Sequence, residues 1–299
     1  MAISHFQNIV NIRYASEFGF QSFPSVKTLE TVTDDPKELN PFSYVMEKHQ
    51  RNYGGNGKIA KYMQAAYRYP ENFSDFVYVS QLLQADGIRY GVEHYRRNRG
   101  RCMGAIYWQL NDCWPVISWS SIDYYGRWKA LHYYAKRFFA PVMLSCEEQS
   151  WMTVEADMNR QHFEFEKSIR LNVTNETLDA HRVLVKWAVR KTDATILREE
   201  EQWLSAVWMD KVELPQIDCF NEYVSYEAWE NDQIISQGTV IFSYPKYFHY
   251  LNPGLAVRVD GDEIVVKAEA YAKSVEIRNE NDDLILEDNY FDMNAGEYR

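Results

Sequence analysis

The chain lacks the marks of a disulfide scaffold, a zinc module or a membrane span. Only four cysteines occur in 299 residues, Cys102, Cys113, Cys146 and Cys219. They form no CxxC pair, so neither a disulfide framework nor a zinc site is signalled. The seven histidines do not cluster at ligand spacings, and no metal centre is expected. No apolar run approaches the ~20 residues that cross a bilayer, and no signal-peptide pattern is visible. Positive charge is in deficit, with 32 Lys and Arg against 43 Asp and Glu. A net negative field repels polyanions, which excludes nucleic acid and anionic membrane surfaces as expected partners. The one basic run, Arg96-Arg97-Asn98-Arg99-Gly100-Arg101, closes a predicted helix, where cations suit the negative end of the dipole.

Aromatic residues are abundant, with 22 Tyr, 15 Phe and 9 Trp. Most rings serve apolar cores. A few stand at strand ends beside amides and carboxylates, where indole faces suit the C–H face of a sugar ring and polar groups take its hydroxyls. The stretch Gly104-Ala105-Ile106-Tyr107-Trp108-Gln109-Leu110-Asn111-Asp112-Cys113-Trp114-Pro115 has this form. Its short apolar run reads as a buried parallel strand. Polar groups massed at a strand's carboxyl end are where a (β/α) barrel builds its site. A second short strand, Arg13-Tyr14-Ala15-Ser16-Glu17-Phe18-Gly19-Phe20, carries one carboxylate at its end.

These residues carry a family resemblance. Ser16-Glu17-Phe18-Gly19-Phe20-Gln21-Ser22, then Tyr107 through Pro115, then Trp119-Ser120-Ser121-Ile122-Asp123-Tyr124-Tyr125-Gly126-Arg127-Trp128-Lys129, resemble the β-mannosidases of glycoside hydrolase family 2. The resemblance is ordered and multi-segment over roughly the first half of the chain and fades in the second.

Taken in order, the first half alternates strand and helix. Helices are predicted over about 25–33, about 41–52 with Asn40 as cap and Pro41 at the first helical position, and about 57–68. A long helix follows from about 75 to 98 with Ser74 as cap, then the Gly104–Gln109 strand and a helix over about 127–139. From about residue 145 the period becomes two: Ile169, Leu171 and Val173, then Val183, Val185, Trp187 and Val189. Further strands are predicted near 200–214, 221–230 and 234–244, with Asn231-Asp232-Gln233 as a turn. Residues 255–266 read as a hairpin around Asp260-Gly261-Asp262. Val275 with Ile277, and Leu284 with Leu286, predict two more strands.

The expected architecture is α/β plus β: the last strands and helices of a (β/α)8 barrel over 1–143, an immunoglobulin-like β-sandwich over 144–246, and the start of a second sandwich over 247–299. Two strands cannot close a barrel of eight. The chain is therefore read as a carboxyl-terminal portion, with exposed apolar strand edges and a tendency to self-associate.

The resemblance implies a retaining exo-β-mannosidase that releases terminal non-reducing β-D-mannose through a covalent glycosyl-enzyme. A retaining glycosidase uses two carboxyl groups about 5–5.5 Å apart. Glu17 matches the family's nucleophile, and Trp108 its platform beneath the sugar. Asn111, Asp112 and Trp114 follow as substrate-contacting or loop-bracing residues. The family's acid/base Glu has no match in these residues, so the chain alone is expected to be inactive. No cofactor is implied, because acetal hydrolysis uses carboxylates alone. The partner is an oligosaccharide or glycoside, and a bacterial cytoplasm or periplasm is favoured over a lysosome. Two alternatives remain: another family 2 specificity, β-galactosidase or β-glucuronidase, and a non-catalytic glycan-binding sandwich module.

Overall fold

The structure is a computed structural model that describes residues 12–154, 165–205 and 207–298; the opening stretch, 1–11, lies outside them. Contacts divide the chain into two units, one of residues up to 138 with 277–289 and one of 139–276 with the residues from 290.

The first unit contains β1 (Ala15–Phe18), α1 (Val26–Leu29), α2 (Tyr44–Lys48), α3 (Gly55–Ala66), α4 (Phe73–Arg97), β2 (Ala105–Tyr107) and α5 (Ala130–Phe138). Strands β1 and β2 pair in parallel, with Ala15 opposite Ala105 and Phe18 opposite Tyr107. The core joins Phe23 and Leu29 to Met46, Ile59 and Met63, and to Phe76, Val77 and Leu83 of α4. Helix α4 is buried almost all round from Ser80 to Ile88. That is why polar residues such as Ser80, Gln81 and Gln84 end up inside and need internal partners.

Helix starts depart from the predicted ones because other side chains cap better. Ser43, not Asn40, caps α2, accepting from the Met46 N–H at 3.3 Å; Asn40 instead accepts from the Phe42 N–H at 2.9 Å in a local turn. Asn72, not Ser74, caps α4 through the Asp75 N–H at 2.9 Å. Helix α5 starts at Ala130, since the Arg127 N–H is taken by the Asp123 carboxylate at 3.0 Å.

Segment 277–289 also belongs to this unit. The paired Leu284 and Leu286 form no strand. Asn289 closes the base of the excursion, donating to the Ile277 carbonyl at 2.7 Å and accepting from its N–H at 2.8 Å. The excursion is held by Arg137 on Asp288 near its base, by Asp282 on Ser25 nearer its tip, and by the Leu286 N–H on the Tyr133 hydroxyl at 3.3 Å. Alternating apolar residues predict one-sided burial, but Leu284 is exposed and Leu286 only half-buried; what holds the segment is polar contact with helix α5.

The second unit holds β3 (Val142–Gln149), β4 (Ser168–Asn175), β5 (Val183–Lys191), β6 (Ile196–Leu204), β7 (Val212–Glu213), β8 (Glu222–Glu230) and β9 (Gln233–Ile241). It continues with β10 (Ala256–Asp260), β11 (Glu263–Ala268), β12 (Ala272–Val275), β13 (Phe291–Met293) and β14 (Gly296–Tyr298). Sheets β3-β4-β7 and β6-β5-β8-β9 enclose one core, with Leu144, Ile169, Leu171 and Val173 from one and Val183, Val185, Trp187, Val224 and Val240 from the other. This is a β-sandwich, with buried and less buried residues alternating along the start of β5, while β6 is exposed up to Leu204. The β8–β9 hairpin turns at Asn231 and Asp232, whose φ angles of 51° and 61° suit the primed turns that match strand twist. The remaining strands form β10-β11-β14 and β12-β13.

Candidate active site

Strands β1 and β2 are short, and their position is fixed by close approach. The Ala15 N–H donates to the Gly104 carbonyl at 2.9 Å, and the Trp108 N–H to the Phe18 carbonyl at 2.8 Å. Phe18 packs edge-on against Tyr95 of α4 with centroids 5.6 Å apart. A Cβ on Gly91 would stand 2.8 Å from the Phe18 ring, and one on Gly19 only 2.5 Å from the Trp108 carbonyl oxygen. Both glycines are there because a backbone or ring must come that close.

Glu17 and Trp108 therefore leave the carboxyl ends of two neighbouring parallel strands. Glu17 is exposed and makes no hydrogen bond or ion pair through its side chain among the described residues. The Trp108 indole is 48% exposed; an indole this open is unusual outside an interaction surface. The Trp108–Gln109 peptide bond is cis, and the Gln109 N–H donates to the Trp119 carbonyl at 3.1 Å.

The other predicted residues have distinct surroundings. Asp112 is buried. One carboxylate oxygen accepts from Ser118 at 2.8 Å and Ser120 at 2.5 Å, and the other from the Gln109 amide at 3.3 Å. Its acceptor capacity is spent on bracing the loop. Asn111 is exposed, and its carbonyl accepts from the Gln109 amide at 2.9 Å. Trp114 stacks on His49, centroids 4.9 Å apart at 26°, and has the Arg51 guanidinium 4.8 Å from its ring. It thus belongs with the 49–55 loop, whose Gln50 pairs with Ile117.

Three residues that position these loops were not singled out from the sequence. Gln84 of α4, fully buried, accepts from the Ser22 hydroxyl at 2.7 Å and donates to the Phe20 and Trp119 carbonyls at 2.7 and 3.0 Å. One amide thereby ties the segment after Glu17 to the segment after Trp108. Lys129, 1% exposed, donates to the Ser22 and Ser118 carbonyls at 3.3 and 3.5 Å. Burial pushes its ammonium down to about 7, against the opposing pull of the Asp112 and Asp123 carboxylates. Gln21 donates to Gln50 at 2.8 Å and accepts from Asn52 at 3.1 Å, fastening the 49–55 loop to the strand of Glu17. The signal for Gln84 was a polar residue inside a buried helix; nothing in the sequence marked Lys129 as buried. Behind β2, the Tyr107 hydroxyl shares a hydrogen bond with Ser121 at 2.8 Å, and Ser121 one with His132 at 3.1 Å. Burial lowers His132 and raises Tyr107.

Known proteins resemble this chain in both sequence and fold. The Ig_mannosidase family, an Ig-fold domain, matches residues 250–299. A β-mannosidase B from Thermothelomyces thermophilus is 30% identical over 95% of the chain, which spans 36% of that protein. A goat (Capra hircus) β-mannosidase is 39% identical over 44% of the chain and 16% of its own length. The fold matches the crystal structure of a β-D-mannosidase from Dictyoglomus thermophilum with a TM-score of 0.85 at 23% identity, over all of this chain and 36% of that one. An exo-chitosanase from Amycolatopsis orientalis follows with a TM-score of 0.71 at 17% identity, over all of this chain and 42% of that one. The chain spans about a third of the fungal relative's length, and in sequence and fold it resembles part of a β-mannosidase of glycoside hydrolase family 2.

Proposed function

We propose that these residues supply the nucleophile half of a retaining β-mannosidase site, with Glu17 as nucleophile and Trp108 as the floor of the sugar subsite. The reading rests on one observation: Glu17 and Trp108 emerge from the ends of adjacent parallel strands joined by the Trp108–Phe18 hydrogen bond. On this reading β1, β2 and their helices are the last units of a (β/α)8 barrel.

In the first step a Glu17 carboxylate oxygen attacks the anomeric carbon as the bond to the aglycone oxygen breaks. An acid/base carboxyl from outside these residues protonates that oxygen. In the second step the same group takes a proton from water, whose oxygen displaces Glu17 and restores the original anomeric configuration. Glu17 has the open position that attack requires. Asp112, its oxygens already occupied, acts as a positioning residue for the loop that carries Asn111 and Trp114. A specificity for mannosides over galactosides or glucuronides is favoured by the relatives named β-mannosidase. Without the acid/base carboxyl, the isolated chain is expected to turn over no ordinary β-mannoside.

Azide rescue tests the role of Glu17. In the whole protein, Glu17→Ala should lose activity on an activated aryl β-mannoside, and added azide should restore turnover with α-mannosyl azide as product. Loss of activity with no rescue, or rescue giving the β-azide, would refute the assignment.

A further inference from the structure

The outer face of the β6-β5-β8-β9 sheet is unlike an ordinary solvated sheet face. Strand pairing sets Leu184 opposite both Trp203 and Trp229, and Trp229 opposite Ile234. The four side chains thus form one apolar row across all four strands, on the side away from the Val183–Val185–Trp187 core. Trp203 is 53% exposed and Ile234 43%. Strands lie about 4.8 Å apart, so the two indoles stand roughly 10 Å apart along the row.

The next row is polar: Glu201, Lys186, Glu227 and Gln237 face one another in register. Glu227 accepts from the Trp229 indole N–H at 2.8 Å and so fixes the plane of that ring. A cation lies over one face of each indole, Arg182 at 5.0 Å from the Trp203 centroid and Lys186 at 5.3 Å from that of Trp229. Adjoining the polar row is a cavity of about 340 Å³, lined by Lys186, Arg190, Glu199, Glu201, Ser225 and Glu227 among others. That volume lies within the range of small-molecule sites.

We propose that this face is a second carbohydrate site, which takes an uncharged oligosaccharide across Trp203 and Trp229. Oriented indoles offer flat apolar surface to the C–H faces of successive sugar rings. Carboxylates and ammonium within the same strip offer acceptors and donors to the hydroxyls, Gln237 at its end being engaged by the Tyr298 hydroxyl at 3.3 Å, and the cavity receives one end of the chain. Charge argues against an anionic ligand: Arg182 and Lys186 are balanced by Glu201 and Glu227 around the indoles, and Glu199 turns the cavity side further negative. A basic ligand would break the Lys186–Glu201 ion pair, 3.7 Å apart. A neutral polyol does neither. The proposal draws on the family kinship and is independent of the role of Glu17.

The test is calorimetric titration of the chain with a 1,4-linked β-mannohexaose, and with a sulfated oligosaccharide of equal length. The double variant Trp203→Ala/Trp229→Ala should weaken mannohexaose binding by at least about tenfold, as loss of central aromatic anchors does. Glu227→Leu, which removes the acceptor of the Trp229 indole N–H but keeps the ring's area, should weaken it less. In a Trp108→Ala chain the same double substitution should still weaken mannohexaose binding, and the sulfated chain should bind more weakly. Absence of mannohexaose binding, or binding lost in Trp108→Ala and kept in the double variant, would overturn the proposal. So would equal binding of the sulfated chain, or a concentration-dependent dimer abolished by the same two substitutions. Circular dichroism of the double variant guards against misfolding; if it is unfolded, Trp203→Ser alone, on the edge strand, carries the test.

Discussion

Replacing Gly19 with alanine should disturb the pairing that sets Glu17 beside Trp108. The new methyl would lie 2.5 Å from the Trp108 carbonyl oxygen and 2.9 Å from Cδ1 of the Trp119 ring. Neither neighbour can yield cheaply. The carbonyl is backbone, in the same residue as the Trp108 N–H that Phe18 holds, and Trp119 is fixed through its own carbonyl by Gln109 and Gln84. Restoring ordinary contact needs a displacement on the order of 1 Å, and overpacking of this kind costs about 1–3 kcal/mol. Urea unfolding of the chain would read the stability loss as a lower midpoint with an unchanged slope. In the whole protein the same displacement at a reacting group should slow glycosylation by up to about a hundredfold. Gly57→Ala is the internal control. That position lies in α3 with open space around its Cβ, so alanine should stabilise by about 0.5–1 kcal/mol. A Gly19→Ala chain as stable as wild type, with unaltered glycosylation, would refute the account of how the two strands are held.

Lys129 makes stability depend on pH. Its ammonium titrates near 7 when buried, against 10.5 ordinarily. Below pH 7 both folded and unfolded chains carry the proton, and the fold bears the full cost of burying it. Between 7 and 10.5 the unfolded chain holds a proton the fold lacks, so stability should rise with pH, at most about 1.4 kcal/mol per unit. Urea midpoints measured across that range should show the rise in wild type and not in Lys129→Met; parallel curves would contradict it. Gln84→Leu should cost about 1–3 kcal/mol, because the buried Ser22 hydroxyl loses its acceptor and the half-buried Phe20 and Trp119 carbonyls lose a donor. Amide hydrogen exchange should then quicken at the Trp108 and Gln109 N–H groups ahead of those in α3, and uniform exchange would count against a clamp between the two loops.

Period-two alternation showed the strands of the sandwich plainly, since Val183, Val185, Trp187 and Val189 all face its core. It could not tell whether an apolar pair is covered, which is how Leu284 and Leu286 read as a strand when Tyr133 and Arg137 hold that segment to a helix. The strand ends bearing Glu17 and Trp108 were legible through the family resemblance of the segments that carry them. The side chains that fix them were not. Gln84, Lys129 and Gln21 act through backbone carbonyls and amides brought together from α4, α5 and the loop after β1, and long-range pairing of that kind leaves no local spacing. The capping errors have the same origin: Asn40 and Ser43 are both good caps, and only the surrounding turn decides between them.

The most direct test of the central assignment is to trap the glycosyl-enzyme. The whole protein, treated with a 2-deoxy-2-fluoro-β-mannosyl fluoride and digested with a protease, should yield one peptide heavier by a fluoromannosyl group, with the label on Glu17. A label on any other carboxylate, or turnover of the reagent by Glu17→Gln at the wild-type rate, would contradict the account.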